Sequence, residues 1–570
     1  MNSLILVVIC FIGYLAAYKI YGRFLGRKIF RLDDSTICPS TELYDGTDFV
    51  PAKKGVLFGH HFTSIAGLGP IVGPAIAIIW GWVPAVIWIF FGSIFMGAVH
   101  DFGVLVLSIR NKGCSIGDIA GDLISNRIRF MFLLIMFIAN LMVITVFILI
   151  IAILFDMYPS SVLPVWSEVP IAILLGYFIY KKKFNHIILS LLALLLLFVF
   201  VIIGAYLPVR MPEIAGLNPL VIWAIILFIY AYVVSILPVT TLLQPRDYIN
   251  SHQLFVVLFL LVIGVIIAHP PIIAPAIDTA PKGAPPIIPF LFIIIACGAI
   301  SGFHSLVSSG TSSKQCEKET DALAIGYGGM IMEGTLSILV IIAVSAGLGL
   351  GLETKDGSIL TGSMAFSTHY SSWASAAGLG AKLKAFVVGS SNLMGSYGIP
   401  PKISITIMGV FLVSFAATTL DSATRIQRYI VRELAKGINV KSLSTQPATL
   451  IAVGVAALLC FHDGFSIIAL KRSSLSLWPL FGVTNQLLAT LALFAITVYL
   501  AKRNISIKFT LIPAVFMLFV TGWGSIANIQ KFLSGDKTFL LVISLISFLL
   551  EIWIIFEAFL TLKRLSIKQY

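Results

Sequence analysis

Charge is what this chain has least of. Only 11% of its 570 residues are Asp, Glu, Lys or Arg, against about 25% in soluble domains. The shortage runs along the whole length, and 59% of the residues are hydrophobic. With a mean hydropathy of +1.02, this excludes a string of soluble folding units and puts most of the chain in lipid. Cysteine is scarce too: there are six, none in a CxxC pair, so neither a disulfide framework nor a zinc site is expected. No GxxxxGK[ST] loop occurs, which argues against ATP hydrolysis. No HExxH or GxSxG motif points to an intramembrane hydrolase. The expectation is therefore no enzyme, no catalytic residue, no metal and no cofactor. A net charge of +13 could suggest nucleic acid. However, the basic residues sit in short connections between apolar runs, so no nucleic-acid partner is expected.

What is present is a series of apolar runs. A spanning helix needs about 20 residues, and about fifteen candidates can be marked. They include runs starting near Leu4, Val56, Val169, Gln253, Pro286, Ile403 and Ala448. The run from Leu4 reads as a retained helix, not a signal peptide. The Lys and Arg residues fall mostly on one side of this pattern, among them Arg27, Lys28, Lys181 to Lys183, Arg425 and Arg428. That bias predicts the N-terminus outside and the C-terminus in the cytoplasm.

Two of the runs are interrupted. The first meets Gly67, Gly69, Pro70, Gly73 and Pro74 in mid-span. Backbone freed in this way must find partners in protein, water or ligand. The second runs apolar from Pro286 to Gly298 and then turns rich in Gly and Ser, with Ser301, Ser305, Ser308 and Ser312 on one helical face. Both carry G-x-H-x5-G, as Gly59 to Gly67 and as Gly302 to Gly310. The orientation sends the two in opposite senses, as an inverted repeat requires, and such broken helices point to a transporter binding site. Their half-helix ends suit an anionic group.

The blocks LFGHHFTSIAGLGPIVGP (57–74), GAVHDF (97–102), QPRDYIN (244–250), IACGAISGFHSLVSSGTSSKQ (295–315), TTLDSATR (418–425) and LWPLFGVTNQLLA (477–489) resemble signatures of the carbon starvation protein family. The resemblance implies an all-α, polytopic membrane protein with a LeuT-like five-plus-five inverted repeat and extra helices. The expected organisation is an N-terminal helix and loop (1–55), a first repeat half (56–210) and inter-repeat helices (211–285). A second half (286–500), with an outside hairpin near 371–392, and C-terminal helices (501–570) complete it. The family's described activities are peptide transport and proton-coupled pyruvate transport.

Buried polar residues are costly in lipid, so each needs a reason. Expected around a substrate carboxylate are His61, Gly67, Gly69, His304, Ser308, Ser309, Gly310 and Thr311. Expected for proton or ion coupling are His60, Asp101, Glu333, Thr418, Thr419, Asp421 and Ser422. Asp101 could also pair with Arg110 or His100, and Asp421 with Arg425 one turn on. Asn485 and Gln486 read as interhelical glue. Arg246 and Asp247 read as a solvated connection, or as a gate, at the inside surface. The reading is an inner-membrane symporter that imports pyruvate or a related small carboxylate, coupled to H⁺, with Na⁺ as the alternative ion. Peptides are the alternative substrate, and a passive channel the alternative class.

Overall fold

The computed structural model describes residues 1–354, 356–437, 440, 443–535 and 538–567. Lys355, Lys441, Lys537 and Lys568, which enter the charge bias, lie outside the described residues. The protein is a helical bundle. We name its elements α1 (Ser3–Ala17), α2 (Lys54–Ile65), α3 (Gly69–Ala77), α4 (Trp82–Arg110), α5 (Ile116–Leu123) and α6 (Asn126–Met157). There follow α7 (Pro159–Lys181), α8 (His186–Tyr206), α9 (Pro219–Ile236), α10 (Leu243–Ala268), α11 (Ile287–Ile294) and α12 (Phe303–Gly310). The rest are α13 (Glu319–Leu350), α14 (Leu379–Gly395), α15 (Pro401–Gly437), α16 (Thr445–Cys460), α17 (Ile467–Lys502), α18 (Lys508–Ser534) and α19 (Thr538–Ile567).

Among the described residues twelve helices are long and apolar enough to cross a membrane, and α2 with α3 forms a bent pair that makes up to thirteen. Two expected spans fall short. The run near Ala448 is α16, only 16 residues. The run from Pro286 splits into α11 and α12, 8 residues each. Residues 371–392, where a hairpin is expected, hold the short helix Trp373–Ala376 and most of α14.

The first break follows from sequence. Residues 66–68 leave the helix, Pro70 sits in the first turn of α3 where its missing N–H costs nothing, and the axis bends by 45°. The second break spans residues 295–302, with Gly298 at a φ of +91° that a side chain would resist.

The two breaks pack against each other. A Cβ at Gly69 would lie 2.3 Å from the Cys297 Sγ, and one at Gly73 only 2.4 Å from the Ile294 carbonyl oxygen. The Ser337 hydroxyl on α13 donates to the Pro70 carbonyl at 3.1 Å. At the other end His61 Nδ1 is 2.8 Å from Ser312 Oγ. Numbers rise along one strand of contacts as they fall along the other, so the broken spans run antiparallel. α6, α15 and the second part of α17 are buried around them, whereas α1 and α19 lie at the rim.

Candidate functional site

The centre of the second break is a cluster of fully buried ionisable groups. His304, one residue into α12, has Nδ1 2.8 Å from Asp101 Oδ2 and Nε2 3.2 Å from Glu333 Oε2. Asp101 also meets His100 Nδ1 at 2.7 Å through its other oxygen. Glu333 uses its Oε1 to accept the Gly298 amide at 3.1 Å. Asn485 caps α12, accepting the Phe303 amide at 2.7 Å, and its carbonyl takes the Gly302 amide at 3.1 Å. The freed backbone of the break is thus held by one carboxylate and one amide side chain, as low-dielectric surroundings demand. The Cys297 Sγ joins the His304 and Glu333 donors within 4.8 Å. That set is one donor short of the four ligands of a closed zinc site.

A second cluster joins α2 to α10 and α15. His60 Nδ1 lies 2.5 Å from Asp247 Oδ2, and Gln315 Nε2 is 3.2 Å from the far side of the ring. Ser64 Oγ is 2.8 Å from Ser422 Oγ, while the Thr418 and Thr419 hydroxyls donate to the Thr63 and Ser64 carbonyls at 3.3 and 3.2 Å. Beside it, Arg246 on α10 bridges Asp421 at 2.8 Å and Glu168 on α7 at 3.3 Å. Tyr230 donates to Asp421 at 3.0 Å, and Ser414 bonds Glu168. One guanidinium between two carboxylates leaves this group with one negative charge in excess when all are ionised.

The third group closes one end of the bundle. Asp48, in the loop before α2, binds Arg425 at 2.7 Å and Arg428 at 2.9 Å. Tyr429 donates to the same carboxylate at 2.6 Å. The two guanidiniums also hold the Leu237 and Ser235 carbonyls at the end of α9. Burial alone would raise the Asp48 carboxyl, but Arg425 and Arg428 outweigh it and keep it below the usual carboxylate range. Lys314, pushed below its usual range by burial, stacks 3.8 Å over the Tyr429 ring.

Several sequence expectations need correction. Asp421 does not sit at a helix end, because α15 continues to Gly437. Nor does it share a point with Thr418, Thr419 and Ser422. Those three face α2, and Asp421 faces Arg246 across the helix. Its i+4 partner Arg425 is taken by Asp48. Asp101 pairs with His304 and His100, not with Arg110, which binds Glu319 at 2.5 Å. Arg246 and Asp247 are no solvated connection: both are buried in the first turn of α10. The G-x-H-x5-G match is not a repeat equivalence, since His61 precedes its break and His304 follows its own.

Ser308, Ser309 and Gly310 lie in the last turn of α12 with Thr311 just past it, where carbonyls are presented; the amide end is at Phe303. Gly67 packs on the Thr419 hydroxyl, where a Cβ would come within 2.5 Å. His61 Nε2 and Ser308 Oγ are buried without a hydrogen-bond partner. Asn485 is the glue expected, and Gln486 donates to the Phe292 carbonyl at 3.0 Å. Glu168 and Asp48 carry no mark in the sequence. Both stand in short polar stretches that look like ordinary connections.

Two antiparallel broken helices around a buried polar centre, inside a bundle of spanning helices, define a membrane transporter of LeuT-like fold. A manganese transporter from Eremococcus coleocola shares that fold at a TM-score of 0.51, with 12% identity over 92% of this chain and 99% of that one. The chain belongs to the carbon starvation protein CstA family, whose model matches residues 2–524. It is 33% identical to the Helicobacter pylori (strain 26695) peptide transporter CstA over 93% of this chain and 82% of that protein. It is 31% identical to the Escherichia coli K12 pyruvate/proton symporter BtsT over 92% of this chain and 81% of that protein.

Proposed function

We propose that this protein imports pyruvate or a closely related small carboxylate, driven by the proton gradient across the inner membrane. In this reading the N-terminus is outside, the C-terminus is cytoplasmic, and the Asp48 end of the bundle is the closed cytoplasmic gate. The observation that carries it is His304, held between Asp101 and Glu333 at the second break. Protonating Glu333 weakens its hold on the Gly298 amide. The freed N–H then becomes available to an incoming carboxylate, which links proton uptake to anion binding. His61 Nε2 and Ser308 Oγ, two polar atoms of the broken spans without a hydrogen-bond partner, are further donors for that anion. Asp421 and Asp247, each held to a cation or imidazole beside α2, couple the first broken span to α10 and α15.

Peptides are a second reading, favoured by the name of the Helicobacter pylori relative. A peptide carries the same terminal carboxylate. Uptake of labelled pyruvate and of labelled dipeptides into proteoliposomes, under imposed pH or Na⁺ gradients, separates the cases. The expected result is pyruvate accumulation driven by an inward proton gradient. Equilibration that ignores both gradients would replace the symporter with a passive facilitator.

A further inference from the structure

A cavity of about 530 Å³ lies between α11, α14, α17 and α18. Its inner wall includes Ile293 and Ile294, the last residues before the second break, and the Ile294 carbonyl is the atom that Gly73 packs against. The cavity therefore abuts the point where the two broken spans meet. Its volume falls in the range of small-molecule pockets, roughly 300–1,000 Å³.

The polar part of the wall is one-sided. Lys382, Lys531, Asn528, Trp373 and Trp478 line it, and among the described residues no Asp or Glu does. Lys382 on α14 is only 7% exposed. It forms no ion pair among the described residues, and its ammonium sits 5.6 Å over the Trp478 ring. A buried ammonium without a counter-charge is unfavourable, and a ring face replaces only part of its hydration. In agreement, burial pushes Lys382 down to about 8. An anion entering the cavity would supply the missing charge. The two indoles offer flat apolar surface to whatever the anion carries. A peptide ammonium would meet the Lys382 ammonium here and, among the described lining residues, no carboxylate.

We propose that this cavity is an access site for a small carboxylate, which pairs its carboxyl group with Lys382 and packs its apolar body on Trp478. This rests on the carboxylate reading above and narrows it. The site selects anions without a free ammonium before they reach the break.

Two measurements test it on the whole protein in proteoliposomes. In the first, the concentration dependence of pyruvate uptake is compared for wild type, Lys382→Gln and Lys382→Arg. Losing a charged hydrogen-bond donor should raise KM at least about tenfold, more than it lowers Vmax, and Lys382→Arg should recover most of the loss. In the second, wild-type protein is acetylated with acetic anhydride with and without pyruvate, and modified lysines are read by mass spectrometry. Pyruvate should slow acetylation of Lys382 and leave exposed Lys384 unchanged. An unaltered KM in Lys382→Gln, or no protection of Lys382, would overturn the access site while leaving pyruvate transport standing. Wild-type protein that accumulates dipeptides and not pyruvate would overturn the carboxylate reading itself, and the access site with it.

Discussion

Gly73 of the first broken span rests directly on the carbonyl of Ile294 in the second, where a Cβ would stand 2.4 Å from the oxygen. The obstacle is backbone, so nothing flexible can yield. Gly73→Ala should therefore separate the two breaks, at a cost of about 1–3 kcal/mol typical of overpacking. Gradient-driven uptake is expected to fall at least tenfold, with a lower thermal midpoint in detergent. Gly454→Ala is the control, since nothing lies within 4 Å of a Cβ there. Equal effects in the two variants would mean that the contact between the breaks does not matter.

The His304 cluster makes a separable prediction. His304→Ala, like His61→Ala, should abolish uptake while the protein still inserts into the membrane. Glu333→Gln mimics the protonated acid and should fail to accumulate pyruvate against a gradient. It should still exchange internal for external pyruvate, because exchange needs no net proton movement. Gradient-driven accumulation by Glu333→Gln at the wild-type level would remove Glu333 from the coupling step.

Much of this was legible in the sequence, for a physical reason. Gly and Pro in the middle of an apolar run force a helix to break, so the two broken spans could be marked with His304 beside one of them. Partner choice was not legible. Asp421 has Arg425 at helical spacing, and local spacing favours that pair, but α10 brings Arg246 and the loop before α2 brings Asp48, and these tertiary pairs prevail. Arg246 and Asp247 follow an apolar run and look like its solvated end, but they belong to the start of the next helix, where Pro245 is tolerated in the first turn. Glu168 was hidden because its partner is 78 positions away.

That Arg246 bridge predicts a strong asymmetry. Removing the cation in Arg246→Ala leaves Glu168 and Asp421 buried and unpaired, which costs about 3–5 kcal/mol. Poor expression or a sharply lower thermal midpoint is expected. Adding Glu168→Gln and Asp421→Asn to Arg246→Ala should recover much of the stability, since no uncompensated charge then remains. Recovered fold without recovered uptake would separate the structural role of the bridge from its part in transport.

The Asp48 gate gives a prediction with a defined pH window. Cys114 is a half-buried native thiol next to Lys314, because Gly113 packs on the Lys314 stem. Asp48→Ala should loosen the Arg425 and Arg428 anchors and raise the rate at which a maleimide labels Cys114, as read by mass spectrometry. The other five cysteines are buried and serve as internal references. The sign of the pH effect follows from the depressed Asp48 carboxyl. Its stabilising contribution is complete above the free-carboxylate value of about 3.9 and is lost as pH falls through the lowered value. Between pH 5.5 and 7.5 the Asp48 bond should therefore contribute a constant closing force. The ratio of labelling rates between Asp48→Ala and wild type, taken at equal maleimide and thiolate reactivity, should stay flat over that range. A ratio that collapses toward unity at pH 5.5 would mean that another group, such as Lys314, whose charge acts on the Asp48 carboxylate, sets the strength of the gate.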